Sequence, residues 1–153
     1  MEFSKLQEVL NEYIKEVGEL YKTKLRNYGK DASGELIRSV SFNVVKDGNE
    51  YVGELSLADY WKYVEFGTEP HFPPVDSILK WIEKKPIIPK EVNGIKPTND
   101  QLAYLIGRKI SEDGIQGVNA LEQTIEEVNE KYASLISDAV SDDLENELDK
   151  ITF

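Results

Sequence analysis

A chain of 153 residues, 40% hydrophobic and 31% charged, fits one soluble domain long enough to bury roughly two-thirds of its unfolded surface. It has no cysteine and a single histidine, which excludes disulfide frameworks, thiolate catalysis and any multi-histidine metal site within one chain. The net charge of −11 is concentrated in residues 119–153, with ten acids against two bases, and this argues against general phosphate-backbone binding, which needs Lys and Arg to displace counterions.

Ser4 and Gln7 have the spacing of a capping box, with Phe3 before the cap. Leu6, Leu10, Tyr13, Ile14, Val17, Leu20, Tyr21 and Leu25 then recur at three- and four-residue steps, which predicts a long amphipathic helix. The start, MEFSKLQEVL, is amphipathic rather than signal-like, and no apolar run approaches transmembrane length. The expectation is a protein made in a cytoplasm, with no membrane partner.

Residues 27–34 read as a linker. Val40, Phe42 and Val44 alternate with polar residues, Asp47-Gly48 marks a turn, and Tyr51–Leu57 returns, so a hairpin is predicted. Val75–Lys85 reads as a helix with Ile78, Leu79 and Ile82 inward, ended by Pro86. The loop 86–97 holds three prolines and Asn93-Gly94. Thr98 and Gln101 suggest a second capping box, opening a helix with Leu102, Leu105, Ile106 and Ile110. Gly114 and Gly117 break the chain before Asn119, a cap residue with Glu122 three positions on. The arm 119–153 carries Leu121, Ile125, Val128, Tyr132, Leu135 and Ala139 as a heptad-like seam, either packed on its own domain or offered to another copy.

Tyr60–Pro74, YWKYVEFGTEPHFPP, is the densest stretch. Asp59 can cap a short helix whose Tyr60, Tyr63 and Val64 form an inward stripe, leaving Trp61 and Glu65 on another face for a partner. Gly67 stands where a left-handed residue would close that helix, and Pro70, Pro73 and Pro74 restrict the loop beyond it. In chemical terms the segment is poor. His71 sits between Pro70 and Phe72 as a loop residue, and Glu65 and Glu69 form a carboxylate pair with no further polar cluster around it. No catalytic, metal or cofactor residues are expected.

YVEFGT followed closely by proline, and preceded by SGELIRSV, resembles the small tail-completion and neck proteins of long-tailed bacteriophages. The positions that carry the resemblance are Gly34, Leu36, Arg38 and Ser39, then Tyr63, Val64, Glu65, Phe66, Gly67 and Thr68. The order of elements matches over most of the chain, although a helix and a second Pro-rich loop are inserted after the motif. The resemblance implies a structural virion protein at the head–tail junction or tail end. It also implies a homo-oligomeric ring that contacts neighbouring connector or portal-side and tail proteins. The genome would pass through the channel without sequence-specific binding, eased by a negative lumen.

The fold expected is α+β, one domain over 1–153, with a long N-terminal helix on a small antiparallel sheet and further helices ending in a long acidic one. The candidate assembly surface is Trp61, Glu65, Phe66, Gly67, Thr68, His71 and Phe72, together with Ile87, Ile88, Val92 and Ile95 of the Pro-rich loop. An acidic cytoplasmic adaptor or DNA-mimic inhibitor of a basic partner is the alternative, and a carboxylate-based hydrolase is a third.

Overall fold

The computed structural model describes residues 2–30, 34–84, 89–91 and 93–151. Ile87, Ile88 and Val92, expected in the assembly surface, lie outside the described residues.

The fold is α+β. Helix α1 (Ser4–Asn27) is followed by a short α2 (Glu35–Ser39) and the hairpin β1 (Ser41–Asp47) and β2 (Glu50–Ser56). Then come α3 (Trp61–Phe66), β3 (Gly67–Thr68), α4 (Val75–Lys84), α5 (Asn99–Asp113), β4 (Ile115–Gln116) and the long α6 (Ala120–Asp149). The strands form two separate antiparallel ladders, β1 with β2 and β3 with β4. In the first, Phe42 faces Leu55 and Val44 faces Gly53, with Gly48-Asn49 as the connecting pair. The turn is one residue later than the sequence pattern suggests, with Gly48 supplying the positive φ of 58°.

Helix α1 is the spine. It lies along α6 on one side and across the hairpin on another. Gly18 leaves room for the Phe42 ring to sit directly on the helix. One core cluster joins Tyr21 and Leu25 to Leu36, Val40 and Ala120, and a second joins Val17 to Val128 and Tyr132. The acidic arm therefore packs within its own chain. Its buried positions are Ala120, Thr124, Val128, Tyr132, Ala139 and Asp143, so the seam is rotated from the expected one, and Ile125 and Leu135 are exposed. Helices α4 and α5 form a helical hairpin with its own small core of Ile78, Ile82 and Ala103. Leu105 of α5 faces solvent.

The helix starts are capped less locally than expected. Thr98 and Gln101 do form a reciprocal capping box on α5. Ser4 and Gln7 do not cap α1, whose N-cap position is Phe3. The Asp143 carboxylate instead accepts hydrogen bonds from the Lys5 and Leu6 backbone N–H groups, at 3.2 and 2.9 Å. Asp143 is 2% exposed, so this charge lies among the helix-end donors that the backbone itself leaves unsatisfied. Beside it, the Lys5–Asp142 ion pair is half-exposed.

Those two neighbouring acids should therefore respond differently. Asp143→Ala is expected to cost about 2 kcal/mol, since it strands two helix-end N–H groups. Asp142→Ala should cost within about 0.5 kcal/mol, as is usual for a solvated pair. Urea denaturation midpoints at constant slope measure both.

Candidate functional site

The hexapeptide Tyr63–Thr68 occupies the crossing point between α3, β3 and the entry to α6. Tyr60 and Val64 pack on the α1 core cluster, as the three- and four-residue spacing predicts. Tyr63 does not: it is 62% exposed, so the inward stripe is narrower than expected. The N-cap position of α3 is Tyr60, and Asp59 makes no cap. Trp61 is half-buried against the same core cluster, with its ring centroid 6.0 Å from that of Phe66.

Glu65 is not available to a partner. It is 2% exposed, and its carboxylate accepts hydrogen bonds from the backbone N–H groups of Leu121 (2.9 Å) and Glu122 (3.0 Å). This caps α6 from 56 residues away in the chain. Asn119, the expected cap, lies in the left-handed region at φ 49° and makes no side-chain cap. Around the carboxylate, backbone bonds run from Val118 N–H to the Val64 carbonyl and from Asn119 N–H to the Glu65 carbonyl, both 3.1 Å. The negative charge thus sits in the first turn of a 30-residue helix, where its dipole and orphan donors favour an anion.

Gly67 explains why the chain can cross itself here. Its φ of 76° and ψ of −167° belong to a region open to glycine alone. A Cβ at Gly67 would collide with the Ile115 carbonyl and the Gly117 backbone, and one at Gly117 would collide with the backbone of Glu65 and Phe66. Thr68 is half-buried in the two-residue ladder with Ile115.

The remaining expected residues fall into two exposed groups. Phe66, 70% exposed, and Tyr63 project from α3, with Trp61 behind Phe66. Phe72 lies on Gly107 of α5, with its ring 6.0 Å from that of Tyr104. Tyr104 in turn lines a shallow apolar depression of about 670 Å³ with Ile95, Pro97 and Leu105. His71 is exposed, with its Nδ1 2.9 Å from the Glu69 carbonyl oxygen. Tyr63 is expected inward, because a helical stripe three and four residues apart reads as core, and the signal against it is that α3 is too short to bury a full face.

Tyr21 completes the site from below. Its hydroxyl is fully buried and has no hydrogen-bond partner among the described residues. Burial, and secondarily the charge of Glu65, pushes its pKa up to about 12. Burial, and then the neighbouring Glu16 carboxylate, moves Tyr132 up to about 12 as well. No group of three or more histidine or carboxylate side chains that could hold a metal occurs among the described residues.

Comparison with protein-family models, curated proteins and solved structures finds no match to this chain.

Glu65→Ala is expected to cost about 3 kcal/mol, because it removes a buried charged acceptor and leaves two α6 donors unpaired. Gly67→Val should cost at least as much, through positive φ and backbone collision. Tyr21→Phe should be neutral or raise the melting temperature, since it deletes a buried unpaired hydroxyl. The folded state holds the Tyr21 and Tyr132 protons more tightly than the unfolded chain, whose tyrosine pKa is about 10. Their contribution is therefore complete below about pH 10 and is lost as pH rises towards 12. Denaturation at stepped alkaline pH should show a shallower loss for Tyr21→Phe than for the parent chain.

Proposed function

We propose that this chain is a structural virion protein of a tailed bacteriophage. It assembles as a homo-oligomeric ring at the head–tail junction or tail end and joins the connector to the tail. Its role is binding without chemistry. The observation that carries the reading is the division of labour within the hexapeptide behind the resemblance. Val64, Glu65 and Gly67 tie α3 to α6, while Tyr63 and Phe66 stand out into solvent at the same point. A rigid joint that presents two large aromatic rings suits a subunit whose task is to hold a neighbour at a set angle, since exposed aromatics beside fixed backbone dominate many interfaces. No helix among the described residues is long and apolar enough to cross a membrane. The acidic outer side of α6, with Glu126, Glu130 and Asp138 exposed, would repel DNA passing through a ring.

The same acidic face favours a second reading, an adaptor or DNA mimic that occupies a basic protein. Size and stoichiometry separate the two. A ring subunit should be found by mass spectrometry in particles produced from the genome that encodes it, whereas an inhibitor should copurify one-to-one with a basic protein and be absent from particles.

The two exposed aromatics give a sharper test. Tyr63→Ala and Phe66→Ala should leave the melting temperature of the isolated chain within about 2 °C, as surface changes do. They should nevertheless reduce its incorporation into particles. Trp61→Ala should lower the melting temperature as well, because that ring packs partly on the core. Normal incorporation of the Tyr63 and Phe66 variants would remove the assembly role from this surface.

A further inference from the structure

Two surfaces that no function has yet claimed lie at opposite ends of the molecule and have opposite character. The first is the C-terminal end of α6. Leu144 and Leu148, one turn apart, and Ile151 just beyond the helix are all exposed, Leu148 at 65%. Asp143, the residue just before Leu144, faces α1 and caps it, so this stripe lies off the α1-facing side. Exposed Glu145 and Asp149 lie on the same stretch and form no ion pair among the described residues.

The second surface is on the α4–α5 hairpin. A cavity of about 350 Å³ is lined by Pro73, Ser77, Ile78, Trp81, Ile106, Ile110 and Ile115, with Lys30 at its side. Trp81 is partly open to solvent. Lys84 follows it by one turn and Lys80 precedes it, both exposed and without an ion pair among the described residues. Residues 80–96 carry five lysines against two glutamates in a chain whose net charge is −11. Lys80 and Lys84 thus set positive charge beside an apolar hollow.

One molecule cannot join the two. The α6 stripe lies at the N-terminal end of α1, where Asp143 meets Lys5 and Leu6, and the cavity lies past its other end, at Lys30. Helix α1 has 24 residues, which at 1.5 Å per residue separates the surfaces by roughly 36 Å.

We propose that the Leu144–Ile151 stripe of one copy docks in the Trp81 cavity of the next, with Glu145 and Asp149 set against Lys80 and Lys84. The occupant is a second copy of this chain, because acidic meets basic and an apolar ridge meets an apolar hollow. A contact between opposite ends of the subunit is head-to-tail, and repeating it gives a closed ring or an open filament. The contact rests on the ring reading above only for closure, since head-to-tail pairing would occur in a filament too.

The chain has no cysteine, so single thiols can be placed cleanly. Leu148→Cys and Ser77→Cys chains, each checked for folding by circular dichroism, are mixed and treated with a short bis-maleimide. The expected result is efficient cross-linking of this pair and little for Leu148→Cys with Asn43→Cys, which sits on the solvent face of the hairpin. Adding Glu145→Lys and Asp149→Lys to the first chain should cut the yield about tenfold. Adding Lys80→Glu and Lys84→Glu to the second chain should restore it. Equal cross-linking to positions 77 and 43, or yields indifferent to charge reversal, would overturn the proposal. The virion reading fails separately: particles lacking the chain would sink that role while the cross-link still stood. Particles containing the chain, with no 148–77 cross-link in solution or in the particle, would do the reverse.

Discussion

The Glu65 carboxylate on the first turn of α6 is the interaction on which the rest of the arrangement depends. A helix of 30 residues with a strongly acidic sequence is a poor independent structure: its like charges repel, and the four N–H groups at its start have no partner of their own. Placing one buried acid at those donors settles two of them and sets negative charge against the positive end of the dipole. Because the acid belongs to α3, the same bonds fix where α6 begins relative to the α1 core. The glycine crossing at Gly67 and Gly117 is a consequence, since two backbones must approach within van der Waals contact for Glu65 to reach.

Asp143 repeats the device in the opposite sense, from the far end of α6 onto the start of α1. Two helices are thus held together by apolar packing along their length and by a buried carboxylate near each end. Neither carboxylate makes an ion pair among the described residues, and burial would be costly had each not been given two N–H donors. Such bonds have a directional demand that leucine packing lacks. They set the register of α6 along α1, which a rotated seam of small and polar residues such as Ala120 and Thr124 would specify only weakly.

What the sequence made legible follows the range of the interactions involved. Helix α1 is readable because its apolar positions repeat over six turns, and the α5 cap because Thr98 and Gln101 are three residues apart. The hairpin is readable from alternation and a glycine turn, missed by one residue because Asp47-Gly48 and Gly48-Asn49 are both acceptable turn pairs. The caps on α1 and α6 were assigned to Ser4 and Asn119 on local spacing. Their true partners are 138 and 56 residues away, beyond any local pattern. The β3–β4 ladder has two residues a side, too short to show a period. In α6, buried Thr124 and Asp143 break the hydrophobic seam, so a pattern built on apolar residues rotated it towards Ile125 and Leu135.

The hexapeptide also shows why a sequence motif can mix framework with display. Over Tyr63–Phe66 the helical twist turns successive side chains by about 100°. Val64 and Glu65 therefore face the α1–α6 core while Tyr63 and Phe66, three residues apart, share the opposite side. Any shift of the framework residues rotates the aromatic pair with it, because α3 is only six residues long and is closed at once by Gly67. Two large rings held on so short and so firmly tethered a helix would have little backbone freedom to lose on meeting another surface. That is the property by which a binding patch turns buried area into affinity instead of spending it on ordering. The buried acid and the glycine crossing thus do for Tyr63 and Phe66 what a longer helix would otherwise have to do by packing.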